Sequence, residues 1–136
     1  GKEVHSPLAA RGTARVFCAL EQIEAIRYAE YLAPDGLAVV NQQAMIPVTV
    51  SMGAATYPDN ISEKLAELFP RLIFFDAAHE AIGLGNIRTA NVILLGALSQ
   101  GLDLPLTAWQ QAIRQCVKPK FVDLNLRAFE IGRNRI

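Results

Sequence analysis

The stretch that decides the fold runs from Ala14 to Asn41. It reads ARVFCAL (Ala14 to Leu20), EQIEAIRYAEYL (Glu21 to Leu32), a Pro34-Asp35-Gly36 turn, and LAVVN (Leu37 to Asn41). The first run is short, apolar and rich in β-formers, which predicts a strand. In the second, Ala25, Ile26, Ala29 and Leu32 fall on one stripe with Ile23 beside it, which predicts a helix. The third run has little polar alternation, the mark of a strand covered on both faces in a parallel sheet. Strand, helix and strand in that order make a βαβ unit, so the expected class is α/β with a mainly parallel, Rossmann-like sheet flanked by helices.

The rest of the chain extends this pattern. Ile46 to Val50 is extended, but Pro47 cannot donate to a ladder, so it is expected at an edge or in a connecting arm. Tyr57-Pro58-Asp59-Asn60 predicts a turn. Asn60 is an expected N-cap with Glu63 at the capping-box position, and Ile61, Leu65, Leu68 and Phe69 supply the buried face of the helix that Pro70 stops. Arg71 to Ala77 predicts a third strand, and Ala78 to Gly83 a short turn or helix. Asn91 to Gln100 is apolar nearly all round and should be buried, with Gly96 allowing close packing. Thr107 is the expected cap of the next helix, with Gln110 at its box position. Trp109, Ala112, Ile113, Cys116 and Val117 repeat at i, i+3, i+4, i+7 and i+8 there. Pro119 opens a last helix, striped by Phe121, Leu124, Ala128 and Ile131, with Arg133 and Arg135 placed well for its dipole. The C-terminal portion is therefore helical.

Bulk composition narrows the function. The chain has 136 residues, 51% of them apolar, which fits one domain with a real core. Lys plus Arg and Asp plus Glu stand at 13 each, so no electrostatic argument favours nucleic acid or an anionic membrane surface. The longest apolar runs are far short of a membrane span, and Gly1 to His5 do not read as a signal peptide. A cytoplasmic location is expected. Cys18 and Cys116 are the two cysteines, and both read as small buried hydrophobes. An iron–sulfur cluster usually takes four thiolates, so no cluster is expected in this chain.

Few residues suggest chemistry. Asp76, His79 and Glu80 form the one compact acid–base cluster, with Asp76 at the end of a parallel strand, where α/β sites gather. A metal or a general acid is one reading. A zinc site normally needs three or four ligands, so an acid at a helix start beside solvated His79 and Glu80 is the favoured one. Glu24 and Arg27 either orient a carboxylate substrate or, as i, i+3 spacing favours, form a surface pair. Asn41, Asn86, Asn91 and Asn125 each sit beside an apolar run; they either line a cleft at the strand ends or bind loop backbone. Ser6, Ser51, Ser62 and Ser99 lack a nucleophile elbow. Gly83-Leu84-Gly85 is too short for a dinucleotide loop, and there is no GxxxxGK[ST]. No catalytic residue and no metal ligand is assigned.

The ordered motifs resemble the γ-type domain of 2-oxoacid:ferredoxin oxidoreductases. Ser6-Pro7-Leu8, Gly12 and Ala14 match one family block, and Glu21, Glu24-Ala25-Ile26-Arg27 the next. Leu32, Pro34, Gly36 and Val39-Val40-Asn41 follow, then Pro47 and Tyr57-Pro58. Asp76-Ala77, Gly85-Asn86, Asn91 to Leu98, Asn125, Ala128-Phe129 and Gly132 complete the series. No single motif is specific; their order over nearly the whole chain is. The Tyr-Pro arm and the LGAL helix resemble the indolepyruvate β subunit more than the pyruvate-specific enzymes. Two departures stand out. Arg15 occupies the place of a family Asp. The family's leading strand, G-x-G-G-Q-G loop and R-G-G segment do not occur, so residues 1–136 are expected to be one γ-type domain lacking the N-terminal Gly-rich βα unit.

The resemblance implies an accessory subunit of an enzyme that converts a 2-oxoacid to an acyl-CoA and passes electrons to ferredoxin. Thiamine diphosphate, iron–sulfur clusters and CoA would belong to the holoenzyme. The partner would be a thiamine- and cluster-containing catalytic subunit. An open sheet edge implies a homo-oligomer in isolation. The other reading is a non-catalytic Rossmann-like module that binds a small ligand or aids assembly.

Overall fold

Ala14–Ala19 (β1), Leu32–Asn41 (β2) and Leu72–Phe75 (β3) form a three-stranded sheet in the order β1-β2-β3. Both pairings are parallel. The computed structural model describes residues 6, 8–44, 52 and 59–135. The expected arm at Ile46 to Val50 and the Tyr57-Pro58 turn lie outside the described residues.

Six α-helices accompany the strands among the described residues: Gln22–Arg27 (α1), Ile61–Leu68 (α2), Ala77–Gly83 (α3), Ala90–Leu98 (α4), Leu106–Cys116 (α5) and Val122–Arg133 (α6). The lack of alternation in β2 has its reason here. Leu37 and Val39, with Ile73 and Phe75, face a cluster that includes Ala77, Ala81, Ile93, Leu94 and Ala128 of α3, α4 and α6. Ala38 and Val40 face Ala25, Ile61, Leu65 and Phe69 of α1 and α2. A strand apolar on both sides buries both sides, which makes the fold a layered α/β sheet.

Several local expectations change. The helix after β1 stops at Arg27, and Ala29–Tyr31 tightens into a 3-10 turn. Leu32 is needed by the sheet, where it pairs with Ala14, so it leaves the helical stripe. Pro34-Asp35-Gly36 does not end an element. Between the pairs Ala14–Leu32 and Val16–Leu37, β2 bulges, setting Ala33 to Gly36 opposite Arg15 alone. Neither expected capping box forms: Asn60 caps α2 without a side-chain bond, and α5 starts at Leu106 behind Pro105, which leaves Thr107 inside the first turn. Proline fits there because an amide at a helix start has no intrahelical acceptor to lose. In α6 the buried face is rotated from the expected stripe. Ala128, Phe129 and Gly132 are buried, whereas Phe121 stands exposed in the 3-10 turn before the helix.

The closest packing lies between α4 and α6. A methyl group on Gly96 would run into the Phe129 carbonyl oxygen, and one on Gly132 into the carbonyl of Ile93. Glycine on both sides lets the two backbones touch. Gly85, at φ +84°, ends α3 in a Schellman motif. There the Gly85 amide donates to the Ile82 carbonyl (2.8 Å) and the Asn86 amide to the Ala81 carbonyl (3.0 Å).

Candidate functional site

In an open parallel sheet the C-terminal strand ends are where ligands bind, and here that rim is organised by Asn41. Its side chain is buried at the last position of β2. Asn41 Nδ2 donates to the Leu20 carbonyl just past β1 (3.1 Å) and to Gln43 Oε1 (3.2 Å). Asn41 Oδ1 accepts from the Ala77 amide at the start of α3 (3.0 Å). One amide side chain thus ties the ends of all three strands. Backbone bonds close the same rim: Gln22 N–H donates to the Gln43 carbonyl (3.1 Å) and Gln42 N–H to the Phe75 carbonyl (2.8 Å).

Two carboxylates flank the rim and cap helices. Glu21, nearly buried, accepts through Oε2 from the amides of Ile23 (2.9 Å) and Glu24 (3.0 Å) at the start of α1. Sequence reasoning took Glu21 as a helix residue and as part of a family motif, and not as a cap. The signal was an acid between a strand end and a helical run, where free amides need acceptors. Asp76 Oδ1 accepts from the His79 amide (2.9 Å) and so caps α3. His79 is exposed, and Glu80 turns away to pair with Arg135 beyond α6. Asp76, His79 and Glu80 therefore do not converge. Among the described residues no three His, Cys, Asp or Glu side chains could hold a metal ion.

The remaining candidates are dispersed. Glu24 and Arg27 form an exposed pair at 2.7 Å along α1. Asn86 accepts from the Arg88 amide (3.1 Å) in the 3-10 turn before α4. Asn125 donates to the Phe121 carbonyl (2.8 Å) in the 3-10 turn that precedes its own helix. Asn91 lies exposed on α4. The structure brings only Asn41 and Asp76 to the same rim.

Sequence reasoning missed two features. Ser99 is buried after α4, donates to the Gly96 carbonyl (2.6 Å) and accepts from Arg133 Nη1 (3.1 Å), joining the ends of α4 and α6. An apolar groove of about 220 Å³ also runs between α4 and α5. Val92 and Leu95 form one wall; Trp109, Ile113, Cys116 and Val117 form the other. Trp109 stacks on Phe129 at 5.8 Å, and its buried Nε1 has no acceptor among the described residues. The amphipathic repeat of α5 thus partly faces solvent, and Cys116 is exposed rather than buried. Cys18 is half-buried in β1, and burial pushes its thiol up from the ordinary value. Two thiols so placed do not fit an iron–sulfur cluster.

Comparison with known proteins agrees with this architecture. Residues 1–135 match the family model described as pyruvate ferredoxin/flavodoxin oxidoreductase. The chain is 43% identical to the indolepyruvate oxidoreductase subunit IorB of Thermococcus kodakarensis, over 97% of this chain and 68% of that protein. It is 42% identical to the IorB subunit of Pyrococcus horikoshii, again over 97% of this chain and 68% of the relative. Among solved structures, the gamma subunit of a keto/oxoacid ferredoxin oxidoreductase from Geobacter sulfurreducens superposes with a TM-score of 0.61. That match is 22% identical in sequence, covers 89% of this chain and 63% of the other, and speaks for the fold. The chain thus spans about two thirds of the length of each of these relatives.

Proposed function

Because this chain belongs to the pyruvate ferredoxin/flavodoxin oxidoreductase family, we propose that it is the γ-type accessory subunit of an indolepyruvate:ferredoxin oxidoreductase. The observation that carries this is the 43% and 42% identity, over 97% of this chain, to two archaeal indolepyruvate oxidoreductase subunits. The holoenzyme decarboxylates a 2-oxoacid oxidatively, forms an acyl-CoA and gives the electrons to ferredoxin. Thiamine diphosphate and the clusters are assigned to the partner subunit, and this chain does no chemistry alone. Supporting that division, Asp76 Oδ1, Glu21 Oε2 and both polar atoms of the Asn41 side chain bind helix starts and strand ends. What the chain offers is a platform whose rim, held from within by buried Asn41 and bordered by exposed Asp76, is a candidate for the contact with the catalytic chain. Glu24, Arg27, Asn86, Asn91 and Asn125 remain candidates for the wider interface.

The same proposal places the protein in the cytoplasm, where no helix of the described residues is long and apolar enough to cross a membrane. It also expects self-association when the chain is alone, since no strand among the described residues pairs with the outer edge of β1.

The test is reconstitution. The protein and the thiamine- and cluster-bearing subunit are purified separately and together, and CoA-dependent reduction of methyl viologen by indolepyruvate is followed. Activity is expected only from the complex. Full activity of the partner without this chain overturns the proposal, as does turnover by this chain alone. A thermal-shift series with CoA, nucleotides and 2-oxoacids covers the binding-module reading, because a ligand held by the isolated fold raises its melting temperature by mass action.

A further inference from the structure

The bulge in β2 builds a second feature at the opposite end of the sheet. Arg15 is the second residue of β1, Asp35 and Gly36 lie in the bulge of β2, and Arg71 immediately precedes β3. The strands are parallel, so all of them meet at the N-terminal end. With Gly101 they line a polar notch of about 100 Å³. Arg71 Nη1 donates to the Asp35 carbonyl (2.8 Å) and so pins the bulge. Arg15 forms no hydrogen bond or ion pair with any described residue, and among the described residues no carboxylate lies within ion-pair range of either guanidinium. With Asp35 among the lining residues the notch carries a formal charge of +1, an excess that one further anion would balance.

The shape of the notch narrows the anion. Its volume suits a single carboxylate or phosphate group and excludes a nucleotide. A phosphate site is usually built from a helix N-terminus or a nest of amides around glycines of positive φ. The two glycines here are not of that kind: the described glycines with positive φ are Gly12 and Gly85. Gly36 packs instead against the Leu32 side chain, and Gly101 against Val16 and Leu37. Small ligands of α/β sheets also bind at the other end. Three and five residues beyond Gly101 the chain exposes Leu104 and Leu106.

We infer that this notch is a socket for an acidic side chain, Asp or Glu, of the catalytic partner subunit, clamped between Arg15 and Arg71. The inference rests on the assembly reading above. Planar guanidinium groups match a carboxylate in two-point geometry, and an ion pair enclosed in an interface escapes the screening that weakens it on an open surface.

The experiment measures the affinity of the full chain for the purified catalytic subunit by biolayer interferometry at several salt concentrations. Variants are Arg15→Glu, Arg15→Ala and Arg15→Lys, each checked by thermal melting. Arg15 bonds to no described residue of its own chain, so melting should not move. Arg15→Glu is expected to weaken the complex by about tenfold or more, Arg15→Lys by less, and Arg15→Ala should flatten the salt dependence. If the unsubstituted chain forms no complex, the assembly reading falls and takes this inference with it. If it binds and Arg15→Glu binds equally well, this inference alone is overturned. Inorganic phosphate binding that depends on Arg15, with the complex unaffected by the substitutions, likewise overturns it in favour of a free-anion site.

Discussion

Replacing Asn41 by alanine tests whether one side chain holds the strand ends together. The substitution removes two donated bonds and one accepted bond, and these losses are unequal. Leu20 and Gln43 are exposed, so water replaces Asn41 at the Leu20 carbonyl and at Gln43 Oε1, with a net loss near zero. Ala77 is fully buried, and its amide, at the first position of α3, has no intrahelical acceptor. Leaving a buried donor unpaired costs about 1–3 kcal/mol. The expected destabilisation is therefore about 2 kcal/mol, or a fall of about 8 °C in melting temperature for a chain of this size. Urea denaturation followed by circular dichroism measures it, with Gln43→Ala as the control that removes only the exposed partner. Gln43→Ala should change stability by less than about 0.5 kcal/mol. If Asn41→Ala falls within that same range, the Ala77 amide is satisfied without Asn41 and the reasoning about the rim is wrong.

Two further outcomes follow from packing and burial. Gly96→Ala forces α4 away from α6 and is expected to cost about 1–3 kcal/mol or more, whereas Gly83→Ala, with nothing near the added methyl, should be neutral or stabilise by up to about 1 kcal/mol; equal effects in chemical denaturation would refute the close crossing. Iodoacetamide should alkylate exposed Cys116 well before half-buried Cys18, read by peptide mass spectrometry. The sign for Cys18 follows from its upward shift: the fold favours the neutral thiol, so this contribution is intact below the ordinary thiol value of about 8.5 and is lost as pH rises through the folded value. Labelling at Cys18 as fast as at Cys116 would contradict the burial.

Much of the fold was legible in the chain because the relevant signals are local. The apolar runs around Val16, Val39 and Ile73 read directly as strands. The glycine at 96, in an otherwise apolar helix, correctly announced a close approach. Its counterpart Gly132 was noticed only as part of a motif, because nothing within a few residues of it says which helix it meets. Asp76 carried a mixed signal: its place at a strand end suggested chemistry, and the free amides of α3 explain it without any. The bulge at Pro34-Asp35-Gly36 was read as a turn because turn residues look alike whether the chain reverses or merely swells within a strand.

By itself, the sequence determined the order of strands and helices, the burial of β2 on both faces and the family. These follow from periodicity, from apolar runs and from motifs a few residues long. Only the tertiary structure decided what the polar residues do. Asn41 and Ala77 are bonded across 36 positions of chain, and Arg15 reaches the same notch as Arg71 because the N-terminal parts of three parallel strands lie side by side. Such contacts are set by strand register and by the bulge that shifts it. Register is a relation between distant segments, and no local pattern records it.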